Sequence, residues 1–162
     1  MNKNRKTLLG EVYSFPETVD EYAARVVAGL VVALCAIILT TQNIWVLGFL
    51  VYGFWARVFT SPTLSPLGLL ATKGIIPALG NPRKTTIGAP KRFAQGIGVI
   101  FSTSALVSGI LGHWIIAYWL LGILAIFATL EAVFGFCAGC WGFGYLIRWH
   151  IIPEKICIQC KN

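Results

Sequence analysis

WIIAYWLLGILAIFATLEAVFGFCAGCWGFGYLIRWHII, from Trp114 to Ile152, is almost continuously apolar, and its reading decides the fold. As one helix rising about 1.5 Å per residue, it would be nearly twice as long as a hydrocarbon layer about 30 Å thick. It must therefore end, bend or turn along the interface. About 20 residues from Trp114 bring the chain to a boundary near Phe134. Gly135, Gly139, Gly142 and Gly144 gather just past that point. The stretch thus divides into a span and, beyond a break, an interfacial helix over WGFGYLIRWHII, with Trp141, Tyr145 and Trp149 at headgroup depth. Cys137 and Cys140 fall at the break.

Three further spans precede this one: roughly Ala23 to Thr40, Ile44 to Phe59, and Phe93 to Leu111. With 57% hydrophobic and only 12% charged residues, the chain lacks the polar surface of a soluble domain, which carries about a quarter charged residues. Lipid offers backbone N–H and C=O groups no partner, so the spans must be helices. The expected fold is an all-α membrane protein with four transmembrane helices and interfacial helices in the middle loop and after the cysteine motif. Its parts are a cytoplasmic segment over residues 1–22, a membrane domain over 23–152 and a cysteine-containing tail over 153–162. The polar lead-in with Glu11, Glu17, Asp20 and Glu21 does not resemble a cleavable signal peptide.

The net charge of +7 raises a nucleic-acid reading, which its distribution excludes. All 13 Lys and Arg residues lie in the N-terminal segment, the middle loop with its flanks, or the C-terminal end. The turns around Gln42 and His113 have none. No separate polar domain offers a binding groove. The pattern instead places both termini and the middle loop on the cytoplasmic side of the membrane, facing anionic lipid headgroups. The middle loop, SPTLSPLGLLATKGIIPALGNPRKTTIGAPKR, is broken by five prolines but contains the apolar run LGLLATKGIIPAL. That run reads as a short helix on the membrane with Lys73 reaching outward, or as a cap over a cavity.

Chemistry concentrates in a few residues. A CxxC pair at the start of a helix exposes a thiol to unsatisfied backbone N–H groups, which favour the thiolate. Cys137, the first of the pair, is then the attacking thiolate, and Cys140 resolves the mixed disulfide or persulfide. The plain alternative is two small residues where helices pack. Cys157 and Cys160 form a second pair, and the 16 residues between Cys140 and Cys157 match the spacing of about 15 to 20 found in four-cysteine zinc sites. Zinc or an iron–sulfur centre on all four is one alternative and a thiol relay another, although the connecting segment is too apolar for a zinc ribbon. No resident cofactor is expected. Glu131 is the only acidic residue within a span and a functional candidate by default. A break at Gly135 would bring it to Cys137 as a proton acceptor; otherwise it pairs with Arg92 or Arg25. Gln95, Ser102, Thr103, Ser104 and Ser108 give the third span a polar stripe suited to interhelical hydrogen bonds. Cys35 reads as packing.

APKRFAQGIG (89–98) and EAVFGFCAGCWGFGYLIR (131–148) carry a family resemblance. Pro90, Arg92, Phe93, Ala94, Gln95 and Gly96 open a span, with Lys91 beside Arg92; Phe134, Gly135, Phe136, Cys137, Gly139 and Cys140 close the next. In these features the chain resembles a bacterial membrane family catalogued as domain of unknown function 4395, over roughly Ala23 to Arg148. The resemblance implies no assigned activity, but association with thioredoxin-like or sulfurtransferase proteins. The functional expectation is a membrane dithiol handling thiol–disulfide or sulfane-sulfur chemistry with such a partner. Its rivals are a non-catalytic subunit of a larger membrane complex and a small transporter for a sulfur compound.

Overall fold

The computed structural model describes residues 18–60, 65–78, 80 and 85–148. Its frame is four long helices running alternately up and down: α1 (Glu21–Thr41), α2 (Ile44–Thr60), α5 (Gly88–Ile110) and α6 (Trp114–Phe134). Between α2 and α5 lie two short helices, α3 (Pro66–Leu69) and α4 (Ile76–Ala78), joined through a π-helical turn at Leu70–Ile75. A last helix, α7 (Ala138–Arg148), follows the break after α6. A small extended feature stands beside the helices: β1 (Thr18–Asp20) pairs antiparallel with β2 (Thr85–Ile87), so that the approaches to α1 and α5 lie side by side.

The chain is an α-helical membrane protein. α1, α6 and the Pro90–Ile110 part of α5 are each long and apolar enough to cross a bilayer, while the apolar helix Ile44–Phe59 is shorter. Trp45 is 84% exposed, Ile115 75% and Trp119 73%. Large apolar side chains this exposed on membrane-spanning helices have lipid, not water, as their natural solvent.

Local chemistry sets the helix ends. Asp20 caps α1 by accepting the Tyr22 N–H at 2.9 Å. Gln42 ends α1 in the left-handed region, and its amide donates to the Tyr118 hydroxyl of α6. Asn43 then starts α2 by accepting from the Trp45 and Val46 amides. α5 begins five residues before the apolar run suggests, since Pro90 fits the first turn of a helix. The extension carries Lys91 and Arg92 into the helix rather than leaving them in the loop.

α1 packs on α6, α2 on α5, α5 on α6, and α7 on α5. The core is aliphatic, with Val31, Cys35, Ile38, Leu47, Leu50 and Leu121 almost wholly buried. Cys35 is a packing residue with a free thiol. Small residues admit close neighbours at particular points: the Phe54 ring lies against Gly98, and Leu67 against Gly53. At Gly29, Gly48 and Gly96, by contrast, an added Cβ would meet nothing within 4 Å.

The middle segment is more than a linker. Leu67, Ala71 and Ile76 are buried against the bundle, while Lys73 is exposed. Ser65, fully buried, caps α3 by accepting the Gly68 amide and donates to the Gly53 carbonyl of α2. The segment therefore closes one end of the four-helix frame, the cap that the sequence offered as its second reading. In the polar stripe, Thr103 accepts from the Trp55 indole across α2 and α5, whereas Ser102 donates to Val99 within its own helix.

Candidate functional site

The 21 residues of α6 span about 31 Å at about 1.5 Å per residue, matching the hydrocarbon layer. The helix stops at Gly135, whose φ of +68° suits a residue without a Cβ. The Gly135 N–H returns to the Glu131 carbonyl at 3.0 Å and the Phe136 N–H to the Leu130 carbonyl at 3.3 Å. Two further carbonyls at this end, those of Ala132 and Val133, accept from the Arg25 guanidinium of α1. Arg25 thus satisfies groups the helix cannot, and sets positive charge against the negative end of its dipole.

After this break the chain re-enters a helix with Cys137 at the cap position of α7. The Cys137 sulfur accepts the Cys140 N–H at 3.2 Å. The two cysteines form a disulfide, with Cα atoms 5.2 Å apart. Gly139, between them, lies against the backbone of Ala94 on α5: a Cβ there would sit 2.6 Å from the Ala94 Cα. The glycine lets α7 dock and keeps the cysteines at the wall of the bundle.

Behind the disulfide is a cavity of about 250 Å³. Its sides are apolar, including Val27, Val31, Phe54, Phe101 and Phe127. The cap supplies Gly68 and Thr72, the latter from the π-helical turn, and Cys137 forms part of the wall. Charged and amide side chains reach it from three helices: Arg57 from α2, Lys91 and Gln95 from α5, and Glu131 from α6. Lys91 Nζ is 3.8 Å from Glu131 Oε1. Arg57 is only 5% exposed. Its Nε donates to the Gly53 carbonyl at 2.9 Å, and its guanidinium lies 4.5 Å above the Phe54 ring. Arg57 Nη2 and Gln95 Oε1 are buried without a hydrogen-bond partner among the described residues.

These positions sort the candidate residues. Cys137 and Cys140 meet, and Cys137 shares the cavity with Glu131. Glu131 pairs with Lys91, not with Arg92 or Arg25. The difference follows from the early start of α5, which turns Lys91 inward, and from the engagement of Arg25 with the end of α6. Cys157 and Cys160 lie outside the described residues, as does the tail. Among the described residues no group of three or more His, Cys, Asp or Glu side chains is placed to hold a metal ion. Arg57 and Lys91 were not singled out from the sequence, where they served only as topology signals. The clue was position: Arg57 lies inside the apolar run GFWARVF, and a charge within a span marks a functional candidate.

Fold and site together define a polytopic α-helical membrane protein with a disulfide at a helix break and a charged cavity behind it. The chain belongs to the family described as a domain of unknown function (DUF4395), whose model matches residues 19–148. Both sequence motifs lie inside the match, and the tail cysteines lie beyond it. No curated protein and no solved structure matches the chain significantly.

Proposed function

We propose that this chain is a thiol–disulfide protein of the bacterial inner membrane, with the Cys137–Cys140 pair at the cytoplasmic interface and both termini on that side. The orientation rests on the Lys and Arg distribution. The observation that carries the reading is the pair itself: joined sulfurs in the first turn of α7, with the Cys140 N–H directed at the Cys137 sulfur. That donor favours a thiolate on Cys137 once the pair is reduced. A permanent structural disulfide is out of place in the reducing cytoplasm, so this one is read as one end of a cycle.

In the cycle, the Cys137 thiolate attacks a partner's disulfide, forming one mixed disulfide and releasing one partner thiolate. The Cys140 thiolate then attacks the Cys137 sulfur, closing the intramolecular bond and releasing the partner's second thiolate. Two electrons pass from the pair to the partner, and reversal of the same steps returns them. A thioredoxin-like protein is the fitting partner. With a sulfurtransferase, the Cys137 thiolate takes the outer sulfur of the donor's persulfide and releases the donor's thiolate; Cys140 then attacks the Cys137 sulfur, closing the disulfide and releasing hydrosulfide.

The test uses a chain in which Cys35, Cys157 and Cys160 are replaced by Ser. Adding Cys140→Ser should trap a covalent adduct with a soluble thioredoxin-fold protein that dithiothreitol releases, or, with a sulfurtransferase, leave a persulfide on Cys137, and adding Cys137→Ser should abolish either product. An impermeant maleimide should label Cys137 from the cytoplasmic face, and more after reduction. If no adduct forms and the pair resists labelling until the protein is unfolded, the cysteines are packing residues.

A further inference from the structure

The cavity behind the disulfide has a need that the cysteines do not meet. Arg57 and Lys91 both line it, and among the described residues Glu131 is the only carboxylate that does. Lys91 stands beside Glu131 at 3.8 Å. Arg57 is left with its Nη2 unpartnered among the described residues, at 5% exposure and on the wall of an open volume. Its Nε is satisfied by the Gly53 carbonyl, but a buried guanidinium with an N–H group left unbonded and two cations sharing one carboxylate is costly, and such an arrangement persists where something completes it. Arg25, Asp20 and Glu21 sit nearby on α1 and its approach, but none of them lines the cavity.

We infer that this cavity is a binding site for one amphipathic monoanion, whose oxyanion headgroup is held by Arg57 and Lys91 and whose apolar body lies against Val27, Val31, Phe54 and Phe101. The planar guanidinium suits an oxyanion, and the apolar walls exclude a fully hydrated inorganic ion. Gln95 Oε1, also unpartnered among the described residues and on the same wall, can accept only from a hydroxyl or N–H that the ligand carries beside its oxyanion. At about 30 Å³ for each small group, the volume accepts a headgroup and about five or six carbons. This inference goes beyond the thiol reading and does not depend on it: a ligand seated here touches the wall that Cys137 helps to form, whether or not the pair turns over.

The probe is hexanesulfonate, titrated by saturation-transfer NMR against the full chain in phosphatidylcholine nanodiscs, with hexanol and hexylammonium as neutral and cationic controls. Hexanesulfonate should bind saturably and the controls should not. Arg57→Gln should weaken binding about 10- to 100-fold, as expected for losing a charge-assisted hydrogen bond. Arg57→Lys should restore part of it, and Lys73→Gln, on the exposed side of the cap, should leave it unchanged. The double variant Cys137→Ser/Cys140→Ser should still bind, which separates this site from the thiol cycle. Repeating the titration in nanodiscs containing phosphatidylglycerol distinguishes the sources: Arg57-dependent competition identifies a lipid phosphate as the occupant, and undiminished binding identifies a soluble anion. Equal binding of hexanol, or full affinity in a folded Arg57→Gln protein, overturns the inference. The comparison of the three probes on the unaltered chain decides the matter even if Arg57→Gln does not fold.

Discussion

Gly139→Ala offers the sharpest test of how the cysteine turn is held. The added Cβ would sit 2.6 Å from the Ala94 Cα and still closer to the Ala94 Cβ, where ordinary contact begins at 3.4 Å. Both atoms belong to the α5 helix and neither can rotate away. The nearest contact, 2.4 Å to the Ala94 Cβ, requires the two helices to part by about 1 Å, at an overpacking cost of about 1–3 kcal/mol. Alanine recovers about 0.5–1 kcal/mol through its better helix propensity. The net expectation is a loss of about 0.5–2 kcal/mol. At Gly142, almost one turn further along the same helix, an added methyl would meet nothing within 4 Å. Gly142→Ala should then keep only the propensity gain and be neutral or slightly stabilising.

Equilibrium unfolding of both variants by dodecyl sulfate in mixed micelles measures the difference directly. The rate at which the reduced pair reoxidises adds a local readout, since a displaced α7 also moves the Cys140 N–H relative to the Cys137 sulfur. Equal stability and equal reoxidation rates for the two variants would falsify the claim that α7 is seated on α5 through Gly139.

Three other perturbations probe the same end of the bundle. Gly135→Ala should cost about 1–2 kcal/mol because φ is +68° there, and Gly135→Asn should cost clearly less, again by dodecyl sulfate unfolding. Arg25→Met keeps much of the side chain's bulk but loses the bonds to the Ala132 and Val133 carbonyls; a loss of about 1–3 kcal/mol is expected, with faster hydrogen exchange at the start of α7. Lys91→Met and Glu131→Leu should each destabilise by leaving a charge in the cavity without its partner, while the double variant regains most of the loss, with a coupling of about 1 kcal/mol or more in a double-mutant cycle. Strictly additive losses would mean that the 3.8 Å pair does not couple.

The large features were legible because hydrocarbon imposes few solutions. An apolar run too long for the bilayer had to break, and the glycines after Phe134 marked where; α6 ends at that residue. The charge-free turns at Gln42 and His113 likewise marked helix ends. What the sequence concealed was the identity of side chains brought inward by elements with no apolar signature. Hydropathy sees α5 only from Phe93, so Lys91 looked like a loop charge, yet Pro90 allows the helix to start at Gly88 and the extra turn delivers Lys91 to Glu131. The role of Arg25 is similarly invisible, because it binds backbone carbonyls, which every sequence has. The cap was ambiguous for another reason: an apolar segment of a dozen residues packs equally well on lipid or on protein, and only Leu67 and Ala71 in the core decide between them.

Position and chemistry are linked in this molecule through one turn. If α6 continued straight, Glu131 and Cys137 would lie six residues and about 240° apart on its surface, unable to face the same volume. The left-handed Gly135 reverses that direction, Arg25 makes the reversal stable by occupying the carbonyls it leaves exposed, and Gly139 presses the following helix onto α5. The result is that the sulfur at the cap of α7 and the carboxylate near the end of α6 line one cavity with Arg57 and Lys91. The glycines in the Phe-Gly-Phe-Cys-Ala-Gly-Cys stretch are therefore part of the site in a physical sense: one supplies the backbone conformation, the other the close approach, and the cysteines depend on both for where they stand.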